Sequence, residues 1–318
     1  MSVTKNHQSP ETLRALCAAA FPHREVLAVA ELTEGMFNAA YRVDFADGGA
    51  SVLKIAAADA SGLLSNEINL MQAEVAAMRI VREHGMTLVP QVQFADFTRT
   101  ICSGNYFFME CLPGRSLSSC RDDLTEDTLN HVHHQSGQFQ QQLRRIHGVD
   151  FGPLGLEPRF PTLHALMRFL ITNVLRDAEN RSVNLQLSHE AVLSRLDADE
   201  PLFAQVQTPS LVHWDMWEGN IFVEDGEMCG IMDWERAMWG DPLMDDRFRI
   251  HNRPAAFLEG FGHTAFTPDE LRRIAWYDLF LYLTMFTESF YREYQSPDGL
   301  LSWLRPLIAD AWSRLQAD

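Results

Sequence analysis

Three polar side chains in one apolar stretch carry the chemistry legible in this sequence: Asp215, Asn220 and Asp233. The stretch reads Leu-Val-His-Trp-Asp-Met-Trp-Glu-Gly-Asn-Ile-Phe-Val-Glu-Asp-Gly-Glu-Met-Cys-Gly-Ile-Met-Asp-Trp-Glu over 211–235, with His213 just before Asp215. Ile221-Phe222-Val223 is a β-prone run. Glu224-Asp225-Gly226-Glu227 carries an Asp-Gly turn signal, and Met228 to Met232 is a second apolar run. A tight hairpin over these residues returns Asp233 to the side of Asn220. A carboxylate beside a carboxamide offers hard oxygen ligands, which suit Mg²⁺ with water and phosphate in its other positions. Asp215 then stands near enough to take a proton from an incoming hydroxyl. Phosphoryl transfer needs this set: ligands for a metal and a positioned base. Ordinary surface acids on a solvated hairpin are the plain alternative, and the conjunction of four such residues in an apolar setting argues against it.

His213-x-Asp215-x4-Asn220, followed by Ile231-Met232-Asp233-Trp234-Glu235, resembles the catalytic core of the aminoglycoside phosphotransferase family, small-molecule kinases with a protein-kinase-like fold. The protein-kinase pattern is H-R-D-x-x-x-x-N followed by D-F-G. Here Trp214 replaces the Arg, Trp234-Glu235 replace Phe-Gly, and no Ala-Pro-Glu follows. These departures argue against a protein substrate. The resemblance implies an α/β (α+β), two-lobed kinase-like fold with a small β-rich N-lobe and a larger helical C-lobe. It makes Asp215 the base, with His213 bracing the catalytic loop. Asn220 and Asp233 become the Mg²⁺ ligands, and ATP or GTP the co-substrate.

The composition allows this reading. The chain has 318 residues, 46% of them hydrophobic, enough for a large core and two lobes. Lys plus Arg number 26 and Asp plus Glu 43, a formal net charge of -17 that repels nucleic acid and anionic membrane. Five cysteines with no C-x-x-C pair read as reduced thiols of a cytoplasmic protein. Met1 to Pro10 is polar and lacks a signal peptide's apolar core, and charges interrupt every long apolar run. A monomer or homodimer is expected.

The elements that must position the site can be read in order. Pro10 to Phe21 reads as a helix ended by Pro22. Glu25 to Leu32, Ala40 to Phe45 and Ala50 to Ala56 read as a β-meander. Lys54 sits in its third strand between branched apolar residues. Pointing outward by alternation is its usual fate. The resemblance makes it the lysine on the nucleotide phosphates, paired with a helix glutamate. Glu74 is preferred over Glu67 because Leu70, Met71, Ala77 and Met78 mark an inward-facing stretch. Glu34 to Ala39, with one glycine, Gly35, is the expected phosphate-covering loop, and the Asn38 side chain is its candidate donor.

Leu88 to Val92 reads as a further strand, and Asn105 to Leu112 as another ending in Pro113-Gly114. The resemblance makes 109–114 the hinge, with Glu110 and Leu112 meeting the base through the main chain and Met109 gating the pocket behind it. Residues 1–112 then form the nucleotide-binding lobe and 113–318 the catalytic and substrate-binding lobe, with a helical insert near 160–205. Thr125 to His147 reads as a helix containing His131, His133 and His134; only His131 and His134 share a face, no Cys or acid pair completes a metal site, and a solvated helix face is expected. Asp241 is read as a cap for a helix starting at Pro242. Pro268 to Leu315 is helical, with its aromatics at core spacing. Glu218, Glu235, Asp245 and Asp246 gather near the site, and Glu288 is placed in a substrate groove. These acids suit a small hydroxyl acceptor that is cationic: an aminoglycoside, an amino sugar or an amino alcohol. A non-catalytic pseudokinase and a protein kinase are the competing readings.

Overall fold

The structure is a computed structural model that describes all residues except 1–4, 34–36, 60–61, 68, 155–156, 294–297 and 318. The expected loop residues Glu34, Gly35 and Met36 therefore lie outside the described residues. The chain is mixed α+β. Helix α1 (Pro10–Ala20) is capped by Ser9, whose side chain accepts from Thr12 N. Strands β1 (Val26–Leu32), β2 (Ala39–Phe45) and β3 (Ala50–Ile55) follow, then helix α2 (Leu70–Glu83) and strands β4 (Val92–Asp96) and β5 (Tyr106–Glu110). The five strands form one antiparallel sheet in the order β1-β2-β3-β5-β4. Strand β2 alternates as its sequence requires, with Ala39, Tyr41, Val43 and Phe45 buried.

The strand expected from Leu88 starts only at Val92. Pro90 has no N–H to give a ladder. The backbone before β4 is used elsewhere: Leu88 O accepts from Ile231 N, and Gln91 O accepts from Glu110 N, each at 2.9 Å.

The remainder is mostly helical. It contains β6 (Arg115–Ser116), α3 (Leu117–Cys120), α4 (Glu126–Leu143), β7 (Gly152–Pro153), α5 (Leu163–Asn180), α6 (His189–Ala198) and α7 (Glu200–Phe203). Strands β8 (Ser210–Val212), β9 (Ile221–Glu224), β10 (Glu227–Ile231) and β11 (Met238–Gly240) precede helices α8 (Ala255–Phe261), α9 (Pro268–Tyr291) and α10 (Asp298–Gln316). Helix α4 stops at Leu143, short of the expected end, and His147 instead bridges to Ser210. Helix α9 starts with a capping box: Thr267 accepts from Glu270 N, and Glu270 accepts from Thr267 N. Asp241 caps a short 3-10 turn at Pro242–Met244 rather than an α-helix.

Two small sheets carry the site. One has the order β10-β9-β6 and the other β7-β11-β8. The β9–β10 hairpin turns at Asp225 and Gly226, with φ of 51° and 82°. Positive φ at both central residues gives the turn whose twist suits a two-residue hairpin, and Asp-Gly is the sequence that tolerates it. One apolar cluster runs from the first sheet and α2 through to this hairpin. It joins Val52, Met78 and Phe107 to Ile221, Met228 and Trp234. A second cluster fills the helical part, built on α5 and α9. No described helix is long and apolar enough to cross a membrane.

Candidate active site

Asp215, Asn220 and Asp233 stand just beyond β8, just before β9 and just beyond β10. Pairing of β9 with β10 brings Asn220 and Asp233 together, and a side-chain bond from Asn220 ties in the loop of Asp215. Met232 N donates to Asn220 O at 2.9 Å, which closes the hairpin beneath Asp233. Asn220 Nδ2 donates to Asp215 O at 2.8 Å, so the carboxamide nitrogen is spent on the loop. His213 is fully buried. Its Nε2 donates to Met232 O at 2.9 Å, and its Nδ1 accepts from Asp215 N at 3.2 Å. Burial pushes the imidazole down to about 4, so the ring is neutral and fits this pair of bonds. Both ring nitrogens are spent on backbone, as a brace would be.

Two backbones here are strained. Trp214 has φ 74° and Asp233 has φ 63°. A bulky residue in this region costs about 1–3 kcal/mol and persists only where its surroundings hold it. Asp245 does the holding at Trp214: its Oδ2 accepts from Trp214 N at 3.0 Å. Asp246 N donates to Trp214 O at 3.2 Å. The peptide before Asp215 is gripped on both sides.

Lys54 is the centre of the charge pattern. Its Nζ donates to both Glu74 oxygens and to Asp233 Oδ1, each at 2.8 Å. Glu67 does not share this contact; it pairs with Arg236 at 2.9 Å and with Arg292. Burial alone would raise Asp233, yet the Lys54 ammonium holds it below the usual carboxylate range. Burial raises Glu74, with Lys54 opposing. Burial and the Asp233 charge push Glu235 up to about 8. Burial also lifts Asp215 well above its ordinary value; Arg236 opposes, while Asp233, Asp246 and Glu235 add to the rise. The Glu74, Asp233 and Glu235 carboxylates lie within 4.8 Å of one another. Hard oxygen donors of this kind fit a Mg²⁺ ion. The Asp233 side chain, 38% exposed, opens toward the cleft.

Glu74→Gln tests the pairing. It keeps the shape and removes a charge from a buried pair, so we expect a loss of about 3–5 kcal/mol in stability by denaturant unfolding. An unchanged unfolding midpoint would show that Glu74 does not hold Lys54.

Several expected contacts differ. Asn38 Nδ2 donates to Glu235 Oε2 at 2.8 Å, so the candidate phosphate donor is engaged within the protein. Glu110 N donates to Gln91 O at 2.9 Å, which spends that main-chain donor. Met109 is buried at 1% exposure, and Leu112 packs on Gly230. The acids expected around a cationic acceptor are largely taken. Asp245 is fully buried and accepts from Trp214 N and Arg247 N. Asp246 is buried and accepts from Asn252. Glu218 pairs with Arg121, and Glu288 with Arg236 at 2.8 Å. Desolvation forbids such acids unless they are partnered, and partnering removes them from solvent-facing duty. His133 is buried too, accepting from Arg247 at 3.1 Å, so that helix face is not wholly solvated.

An acid partner for Arg236 is expected from the sequence and is found in Glu67 and Glu288; the grip of Asp245 on Trp214 and the joining of Arg292 to the same acids are not expected from it. Arg292 also stacks over the Phe37 ring at 4.5 Å. The signal was present only as arginines and acids in apolar stretches.

Comparison with solved structures places this arrangement. A thermostable mutant of aminoglycoside phosphotransferase APH(4)-Ia, apo form, superposes with a TM-score of 0.66 at 19% identity, covering 98% of this chain and 100% of that one. A thermostable APH(4)-Ia mutant in ternary complex with ADP and hygromycin B gives 0.65 at 20% identity, covering 96% and 100%. A GDP complex of an aminoglycoside 2'-phosphotransferase-IIIa mutant gives 0.66 at 15% identity, covering 96% and 98%. These likenesses establish the kinase-like fold. No curated protein matches the sequence. The sequence pattern of the phosphotransferase enzyme family matches residues 28–281. With that match spanning most of the chain, and with this site at its centre, the protein belongs to the phosphotransferase enzyme family.

Proposed function

We propose that this phosphotransferase is a small-molecule kinase, moving the γ-phosphoryl of ATP or GTP to a hydroxyl. One observation carries the reading: Lys54 Nζ meets Glu74 and Asp233 at 2.8 Å, and Asp233 in turn acts on the Asp215 carboxyl. A strand, a helix and the catalytic stretch converge on one buried ammonium. Lys54 draws the triphosphate into line, and Glu74 fixes Lys54. The Glu110 carbonyl and Leu112 main chain meet the base at the hinge, with Met109 behind it. Asn220 and Asp233 would hold Mg²⁺, which when bound neutralises charge on the phosphates. Asp215 orients the acceptor hydroxyl and takes its proton as the oxygen attacks phosphorus. His213 keeps the loop in register. The complexes of the structural neighbours with ADP, GDP and hygromycin B support a nucleotide and a hydroxyl-bearing acceptor in these two places. Aminoglycosides, amino sugars and amino alcohols are the acceptor classes we propose.

Asp233→Ala should abolish the Mg²⁺ dependence of nucleotide binding, read by calorimetry with and without the ion. Equal Mg²⁺ dependence in the variant would remove Asp233 from the ligand set. The activity itself is tested by mass spectrometry of a metabolite and antibiotic mixture incubated with enzyme, Mg²⁺ and ATP carrying heavy oxygen on the γ-phosphate, repeated with GTP. A labelled phosphate ester formed by wild type alone, and not by Asp215→Asn, is the expected result. Labelled phosphoprotein with no labelled small molecule would overturn the small-molecule reading.

A further inference from the structure

We propose that Trp217 is a specificity-determining residue: its indole receives an ammonium group of the acceptor, beside Asp215. This rests on the kinase reading and names how that site recognises a cationic acceptor. Two residues of chain span at most about 7 Å, so the Trp217 Cα stands within that distance of the Asp215 Cα. Burial alternates through the loop. Trp214 and Met216 are buried, Asp215 is partly buried, and Trp217 is 46% exposed. Side chains two apart in an extended segment project to the same side, and Trp217 is extended, with φ -80° and ψ 170°. Met216 therefore turns to the core, and Asp215 and Trp217 to the open side.

The loop makes a place for the ring. A Cβ at Gly219 would run into Trp217 Cζ2, Cη2 and Cε2, so the absence of a side chain there lets the indole lie where it does. Trp217 O accepts from Asn220 N at 3.0 Å, which fixes the backbone that carries the ring. Leaving an indole half in water forgoes apolar burial. Among the described residues, no other large apolar side chain of the 211–235 stretch is left so exposed.

An acceptor with ammonium groups needs partners for them. The carboxylates around the loop are already engaged. Glu218 pairs with Arg121, Asp245 holds two backbone N–H groups, Asp246 accepts from Asn252, and Glu235 accepts from Asn38. An indole attracts a cation to its face through the ring quadrupole, and Trp does so best of the aromatic side chains. The Glu218–Arg121 pair beside it is neutral as a unit, so Arg121 does not oppose the cation. The net charge of -17 draws cations to the whole surface, whereas the ring acts only at contact.

The test uses acceptors that share a hydroxyl frame and differ in charge: kanamycin and its N-acetylated form, glucosamine and glucose, ethanolamine and ethylene glycol. Phosphate-ester formation from MgATP gives kcat/KM for both members of each pair, at high ionic strength to screen the long-range field. We expect wild type to prefer the charged member, and Trp217→Leu to lower that ratio about 3- to 30-fold. Trp217→Phe, which keeps a ring face, should fall in between. A purely structural role would slow both members of a pair alike and leave the ratio unchanged. That outcome overturns the proposal, as does a wild type with no preference for charge. MgATP affinity is measured by calorimetry on each variant; its loss in Trp217→Leu would assign the ring to the nucleotide and overturn the proposal too. If wild type phosphorylates none of these compounds but hydrolyses ATP slowly through Asp215, the proposal falls and the kinase reading stands. If ATP is neither bound nor hydrolysed, both fall.

Discussion

Asp215→Asn will bind nucleotide as wild type does and turn over about 10²–10⁴ times more slowly. The substitution keeps shape and removes the proton acceptor. The contacts that set the loop do not depend on the carboxylate. Asp215 N donates to His213 Nδ1 at 3.2 Å, and Asp215 O accepts from Asn220 at 2.8 Å. Both are main-chain bonds and survive the change. The wild-type carboxyl is lifted well above its ordinary value by burial, with the neighbouring acids adding to it. A raised pKa makes the carboxylate a stronger base toward the acceptor's proton. The comparison is kcat from the phosphorylated product against Kd for MgATP by calorimetry. Full turnover by the variant would sink the mechanism; lost nucleotide binding would mean that Asp215 shapes the fold of the site rather than its chemistry.

Asp245→Ala should be the most damaging change away from the reacting atoms. Asp245 takes up two backbone N–H groups, of Trp214 at 3.0 Å and of Arg247 at 3.3 Å. Alanine leaves both buried without a partner, at about 1–3 kcal/mol each. It also frees Trp214 from φ 74°, so Asp215 drifts and kcat falls along with stability. Denaturant unfolding and kcat read the two effects, and a variant as stable and active as wild type would refute the role. Asp245→Asn adds a pH test. Burial and Asp246 push Asp245 up to about 7 in the folded chain. Between the ordinary carboxylate range and about 7 the folded state therefore holds a proton that the unfolded chain has lost. Stability attributable to this group falls as pH rises through that window, by about 1.4 kcal/mol per unit. Asparagine cannot ionise, so the variant should show a shallower fall there, and parallel curves would remove Asp245 as the cause.

How much could be read from the sequence depended on distance along the chain. The hairpin was legible because Asp225 and Gly226 dictate their own turn, and that turn fixes where Asp233 lands. The glutamate for Lys54 was legible because α2 shows its apolar face in the order of its residues. What stayed hidden was long-range. Asn38 finds Glu235 across 197 residues, and Arg292 finds Glu67 across 225. No local pattern predicts which buried charge meets which. The acids near the site looked available for the same reason: Asp245, Asp246 and Glu288 acquire their partners only when the helices pack. Pro90 hid the true start of β4, since a β-prone run with a missing donor still reads as a strand. The division into lobes and the roles given to the hinge residues remain part of the proposal.

The segment ahead of α2 has a consequence for how the molecule melts. Ser65 gives both its N–H and its hydroxyl to Asp177 on α5, at 2.7 and 2.6 Å. Asn66 and Glu67 continue the seam to α5 and α9, and the Val52–Trp234 cluster is shared by both sides of it. The β-sheet part cannot come apart without exposing the apolar cluster that it shares with the β9–β10 hairpin. The chain should therefore lose its structure in one cooperative transition, with the far-ultraviolet and tryptophan signals coinciding. A nucleotide that touches only the sheet would then protect α9 and α10 from hydrogen exchange as well, because stabilisation gained at one end is spread over a single thermodynamic unit.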